Sequence, residues 1–162
     1  MFCTHSLYRQ DIKLAAGLSF IPWDKLHGTS ILVTGATGLI GTCLIDILME
    51  RNRMHAESPI SVFALGRSHE RLHKRFADYE ANPNFHYVIQ DIRDPLPDDL
   101  SFTYMINGAS HAHPAAYAKD PVGTILINIQ GLTSLLSHAV AHNTKRVLEV
   151  TSIEVYGQNR GD

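Results

Sequence analysis

Ser30-Ile31-Leu32-Val33-Thr34-Gly35-Ala36-Thr37-Gly38-Leu39-Ile40-Gly41-Thr42-Cys43-Leu44-Ile45-Asp46-Ile47-Leu48-Met49 is the most apolar stretch of the chain, and its reading decides the fold. A membrane-spanning helix needs about 20 predominantly apolar residues. Here three glycines and Asp46 interrupt the run and its period changes midway. The stretch therefore reads as strand, turn and helix. Ile31–Thr34 forms a short buried strand. Leu39 to Arg51 forms a helix, with Leu39, Ile40, Cys43, Leu44, Ile47 and Leu48 recurring at helical spacing.

The turn between them is Gly35-x-x-Gly38-x-x-Gly41. Gly35 can take the backbone angles of a tight turn. Gly38 lacks a side chain, so a pyrophosphate can approach the backbone. Gly41 lets helix and strand pack closely. The unpaired amides of Thr37, Leu39, Ile40 and their neighbours, with the helix dipole, favour an anion at the helix start. A glycine pattern alone is also compatible with a purely structural turn. The strand–turn–helix setting favours a bound dinucleotide.

Outward from this turn, elements alternate. Ile60–Leu65 and Phe85–Gln90 read as strands two and three. Ser68–Tyr79 is the helix between them, with Ser68 at its cap. Phe102–Asn107 is a fourth strand. Asp120-Pro121 opens a long helix to about Asn143, with Ile125, Ile129, Leu132, Leu136, Ala139 and Val140 on one stripe. Arg146–Thr151 is a fifth strand. Alternation of this kind implies right-handed crossovers and a mostly parallel sheet covered on both faces. The predicted fold is α/β, a Rossmann-type doubly wound parallel sheet of about five strands over residues 28–162. Residues 1–27 form a leader in which Ile12, Leu14, Leu18, Phe20, Ile21, Trp23 and Leu26 are candidates to lie on the main domain. Trp23 reads as a packing anchor.

The chain has 162 residues, 44% hydrophobic and 19% charged, with a net charge of −2. That is enough for one domain with its own core, and it argues against nucleic acid or an anionic membrane as partner. Cys3 and Cys43 make no disulfide framework. No signal peptide is visible, so a cytoplasmic location is expected. His111 and His113 lack a third partner at ligand spacing, and no metal site is expected.

Five ordered motifs resemble the extended short-chain dehydrogenase/reductase family, the NAD(P)-dependent epimerases, dehydratases and decarboxylases of sugar nucleotides. They are Ile31–Gly41; Asp91-Ile92-Arg93; Asn107-Gly108-Ala109-Ser110-His111-Ala112-His113-Pro114; Asn128-Ile129-Gln130-Gly131; and Thr151-Ser152-Ile153-Glu154-Val155-Tyr156-Gly157. The resemblance covers residues 28–162. It implies adenine contact by Asp91 and Ile92, and a small-residue floor under the cofactor at Ala109 and Ser110. It also implies that Asn128 ties its helix to the active-site strand. Asp91 as a turn cap, Ala109 and Ser110 as packing residues, and Asn128 as a surface amide are the plain alternatives.

NAD-binding domains of this type place an acid after the second strand. This chain has Gly66-Arg67-Ser68 there, with Arg71 one helical step away. Arg67 and Ser68 suit a 2′-phosphate, which favours NADP over NAD. If Arg67 stacks on adenine or is solvated, NAD binds instead. In the resembled family a Tyr–Lys pair, YxxxK, and a Ser or Thr flank a sugar carbon, usually C4, that yields hydride to the nicotinamide. Ser152 falls at the Ser/Thr position. Ile153 departs from the Asp-Glu pair of the dehydratases, and Glu154 without that Asp leans toward UDP-glucuronate decarboxylases. Glu154 as a structural acceptor is the alternative. None of the six tyrosines is followed by lysine at the fourth position; Tyr156 leads to Arg160. The reading is thus the cofactor-binding N-terminal part of a nucleotide-sugar enzyme, without its C-terminal substrate lobe, homodimeric when full length. The rival is a non-catalytic dinucleotide-binding or redox-sensing module.

Overall fold

A computed structural model describes residues 5–111, 114–152 and 157. Five parallel strands form one sheet in the order β3-β2-β1-β4-β5: β1 Ser30–Thr34, β2 Ser61–Gly66, β3 Phe85–Ile89, β4 Tyr104–Asn107 and β5 Arg146–Glu149. The chain runs from β1 outward to β3, then returns to the far side of β1 for β4. The order therefore reverses at β1, where open α/β sheets place their ligands at the carboxyl ends of the strands.

Both faces of the sheet are covered. On one, α2 (Leu39–Met54) and α3 (His69–Phe76) close over Ile31, Val33, Ile45, Val62, Ala64, Leu72 and Phe76. On the other, Leu32, Leu65, Met105, Ile127, Leu135 and Ala139 meet Ile92, Leu96 and Phe102 of the connections. This two-sided burial explains the continuous apolar strands. Ser68 caps α3 by accepting from the Arg71 amide at 3.3 Å. Asp120 caps the next helical run by accepting from the Gly123 amide.

That run is more articulated than its periodicity predicts. A short helix α4 (Pro114–Lys119), not expected from the sequence, precedes it. Then come α5 (Pro121–Leu126), a π turn over Ile127–Gly131 and α6 (Leu132–Ala141). Gly131 permits the close approach: a Cβ there would lie 2.9 Å from Ile92 Cγ2. The apolar stripe legible in the sequence is largely the outer one. Ile125, Ile129, Leu136 and Val140 are exposed, and Ile127, Gly131, Leu135, His138 and Ala139 face inward. Both sides of the helix are apolar, so periodicity does not choose between them. Pro121–Ala141 is long and apolar enough to cross a membrane by length and composition. Here its inner side covers the sheet.

The leader contains α1 (Ser6–Ala16), which packs on α2. Ile12, Ala16 and Trp23 are buried and Ile21 and Leu26 partly so, whereas Leu14 and Phe20, expected to pack, are exposed. Trp23 donates to the Leu18 carbonyl at 2.9 Å, with the Arg51 guanidinium over its ring. The strongest tie is Asp46 on α2, 4% exposed. Its carboxylate accepts from Tyr8 at 2.6 Å, from Tyr79 at 2.9 Å and from Arg75. Burial and then the Asp46 carboxylate push both phenols well above their ordinary pKa, so they remain protonated donors. Removing one member of a buried charged cluster leaves its partners desolvated and unpaired. Asp46→Ala is expected to lower the unfolding free energy by about 3 kcal/mol in urea titration. A loss below about 1 kcal/mol, the level of an exposed pair, would show that Asp46 does not hold the leader.

Candidate functional site

At the carboxyl end of β1, Gly35 has φ +63°, and a Cβ on it would collide with the Gly108 carbonyl. Only glycine combines that backbone angle with that contact. Gly38 has φ −74° and is the N-cap of α2, with no side chain to satisfy the helix amides. A Cβ on Gly41 would lie 2.5 Å from the Gly35 carbonyl oxygen, so α2 can begin this close to the strand only with glycine there.

The donors of the turn divide into two groups. The Ala36 amide donates to the Leu65 carbonyl at 3.3 Å, and the Gly38 amide to the Gly35 carbonyl at 2.9 Å; these hold the turn itself. The amides of Thr37, Leu39, Ile40 and Gly41 donate to no acceptor among the described residues. Leu39 and Ile40 are exposed at the mouth. A helix start whose leading amides lack protein acceptors is a ready anion site, and this one lies at the reversal point of the sheet.

A second turn, after β4, floors the mouth. Thr34 donates to the Asn107 side-chain oxygen, which also accepts from the Ala109 amide at 3.3 Å. The Thr34 hydroxyl accepts from the Gly108 amide at 3.2 Å. Asn107 Nδ2 donates to Glu149 Oε2 at 2.7 Å. The ladder thus spans three adjacent strands. Burial raises the Glu149 carboxyl pKa, against the opposing effect of the Asn107 hydrogen bond. Beyond it, Ala109 is half-buried, Ser110 is exposed, and the His111 ring nitrogen Nδ1 lies 2.9 Å from the Thr124 hydroxyl of α5.

At the outer end of the mouth, after β2 and β3, stand Arg67, Ser68 and Asp91. Arg93 grips Asp91 with two guanidinium bonds, 3.0 and 2.9 Å, and its amide adds a third at 3.0 Å. Arg67 lies 3.9 Å from the same carboxylate. These hydrogen bonds outweigh burial and hold the Asp91 carboxyl below its ordinary pKa, with help from Arg67. The Ser68 oxygen accepts the cap bond, which leaves its proton for another acceptor.

The fold therefore gathers Gly35, Thr37, Gly38, Leu39, Ile40 and Gly41 on the β1 turn, Ala109 and Ser110 on the β4 turn, and Arg67, Ser68 and Asp91 on the β2 and β3 ends. Two expected residues are placed otherwise. The Ile92 side chain is 5% exposed and packed against Gly131, so it offers a ligand only its backbone. Asn128 sits on the exposed side of the π turn, and its side chain reaches no partner on the sheet among the described residues. The π turn places the preceding position, Ile127, inward instead. Ser152 is exposed, two residues beyond Val150, whose amide donates to the Asn107 carbonyl. Glu154 lies outside the described residues. Sequence reading missed Thr34, Asn107 and Glu149. The only signal was a polar residue ending each of three apolar strands.

Residues 31–162 match the NAD-dependent epimerase/dehydratase family. The chain is 32% identical to UDP-glucuronic acid decarboxylase 2 of Arabidopsis thaliana over 82% of its own length and 28% of that protein. It is 30% identical to low-salt glycan biosynthesis protein Agl12 of Haloferax volcanii, over 79% and 41% respectively. Among solved structures it resembles the DesIV double mutant, a dTDP-glucose 4,6-dehydratase from Streptomyces venezuelae with NAD and DAU bound. The TM-score is 0.65 and the identity 25%, over 82% of this chain and 42% of that one. UDP-N-acetylglucosamine 4-epimerase from Methanobrevibacter ruminantium M1 has the same fold, with a TM-score of 0.68 at 20% identity over 83% of this chain and 41% of that one. The chain thus spans between about a quarter and two-fifths of the length of these relatives. By its sequence match over most of its length and its Rossmann-type sheet, it belongs to the NAD-dependent epimerase/dehydratase family.

Proposed function

We propose that this chain is the cofactor-holding part of an NAD(P)-dependent enzyme that oxidises a nucleotide sugar transiently at C4 and returns the hydride. The observation that carries the reading is the set of amides at Thr37, Leu39, Ile40 and Gly41, which face no protein acceptor at the point where the strand order reverses. Those amides and the start of α2 hold the pyrophosphate. Ala109 and Ser110 leave room for the dinucleotide to pass. When bound, the nicotinamide supplies the hydride acceptor. Ser152 hydrogen-bonds the reacting sugar hydroxyl, and Glu154 assists at the neighbouring carbon or carboxylate. Glu154 without a preceding Asp, together with the matches to UDP-glucuronic acid decarboxylases, favours a decarboxylase over a dehydratase.

NADP is the favoured cofactor. Arg67 and the Ser68 proton stand at the sequence position of the usual ribose-binding carboxylate, and Arg71 lies in the first turn of the adjoining helix. The outer stripe of α5 and α6 supports a homodimer. Val122, Ile125, Ile129, Leu136 and Val140 are between 45% and 82% exposed on one side of a helix pair. A contiguous apolar face of this kind is a protein contact surface.

Three measurements test these statements. Gly38→Val adds side-chain atoms in the phosphate space at a backbone angle valine tolerates, so nicotinamide-cofactor affinity falls by at least about tenfold in titration calorimetry. Retained affinity in a folded variant overturns the placement. Arg67→Ala weakens NADP about tenfold more than NAD, the scale of one charge-assisted contact; equal loss for both overturns the phosphate reading. In the whole protein, Ile129→Glu with Val140→Glu converts a sedimenting dimer to monomer. A parent that sediments as a monomer removes the dimer proposal.

A further inference from the structure

The polar ladder beneath the β4 turn ends on a carboxylate that the dinucleotide reading leaves without a role. Glu149 closes β5, and among the described residues its carboxylate accepts from Asn107 Nδ2 at 2.7 Å. Asn107 is 1% exposed. The orientation of its amide is dictated by chemistry. The Ala109 amide can only donate, so the atom facing it must be the oxygen. The Thr34 hydroxyl receives the Gly108 amide proton and so gives its own proton to that same oxygen. Nδ2 is left facing β5, where it needs an acceptor. An ionised carboxylate has only acceptor sites, so Glu149 supplies that acceptor and opposes a flip of the amide.

The consequence reaches the phosphate turn. The Asn107 oxygen and the Thr34 hydroxyl together take the Gly108 and Ala109 amides, which fixes the first two residues after β4. The Gly108 carbonyl is the group packed against Gly35. A displaced β4 turn therefore moves against a residue already held at φ +63°. We propose that Glu149 is a positioning residue for the dinucleotide cleft. It fixes the Asn107 amide, and through Asn107 and Thr34 it holds the β4 turn in register with the Gly35–Gly41 turn. The proposal rests on the dinucleotide reading above for its effect on affinity, but not for its effect on the turns.

Two variants separate the hydrogen bond from the charge. Glu149→Ala removes the acceptor and leaves a buried amide donor unpaired. Glu149→Gln keeps an oxygen that accepts the same bond. Two readouts are taken: nicotinamide-cofactor affinity by NAD(P)H fluorescence, and the 15N–1H resonances and hydrogen exchange of Gly35, Gly108 and Ala109 without cofactor. In Glu149→Ala those amides shift and exchange faster, and affinity falls about tenfold, the fold-change matching one unsatisfied buried donor. In Glu149→Gln both readouts return to within about twofold of the parent, a rescue that loss of general stability would not give. Unchanged amides in a folded Glu149→Ala protein overturn the proposal, and so do equal losses in the Ala and Gln variants. A parent that binds no nicotinamide, while the amide shifts still follow the Ala and Gln pattern, overturns the dinucleotide reading and supports the role of Glu149 in the turns.

Discussion

The carboxyl end of β1 has no room for side chains. The chain leaves the strand, passes the β4 turn closely enough that a Cβ on Gly35 would strike the Gly108 carbonyl, and starts α2 with Gly41 against the Gly35 carbonyl. This crowding has two consequences. It forces three short segments from different parts of the chain to meet at the reversal point of the sheet. It also leaves the helix start without a capping side chain, since Gly38 occupies the cap position. The backbone groups that a serine or aspartate cap would have satisfied are thereby presented to the cleft. The site is a product of packing.

The two faces of the sheet share the work unequally. Face one is closed by α2, α3 and the leader, and Asp46 binds three of these pieces through Tyr8, Arg75 and Tyr79. Arg51 adds a second tie to the leader through the Ala16 carbonyl and the His27 ring. Face two is closed by α5, the π turn and α6, whose inward residues are mostly small or aliphatic. The side tied by Asp46 and Arg51 therefore carries the helix that presents its amides to the cleft. The other side carries the second apolar surface. A helix with two apolar sides covers the sheet with one and leaves the other exposed.

How much was legible follows from the same physics. The strands were, because burial on both faces writes continuous apolar runs such as Ile31-Leu32-Val33. The β1 turn was, because glycine is the only residue its geometry allows. Helix α1 was not: only Ile12 and Ala16 of its residues are buried, while its apolar Leu7 and Leu14 are exposed, so no stripe announces it. The inward side of α5 and α6 was not legible because two apolar faces share one period and the π turn shifts the register midway. The Thr34, Asn107 and Glu149 ladder was hidden because its members lie 73 and 42 residues apart and meet only through strand order. Asp91 was legible as a position. Its engagement by two guanidinium groups was not, since Arg67 arrives from the neighbouring strand.

That last arrangement bears on the chemistry at the outer end of the cleft. The Asp91 oxygens accept from Arg93, and Arg67 stands beside them. A neutral ribose hydroxyl would have to compete with a guanidinium for that carboxylate, an exchange of a charge-assisted bond for a weaker one. One carboxylate facing two guanidinium groups leaves a positive balance at this end. A bound anion can approach the exposed Arg67 without breaking the Arg93 pair, because Arg93 is the group that satisfies Asp91 at bonding distance. This pairing supports the proposal of NADP as the cofactor, and residue identity alone does not reveal it.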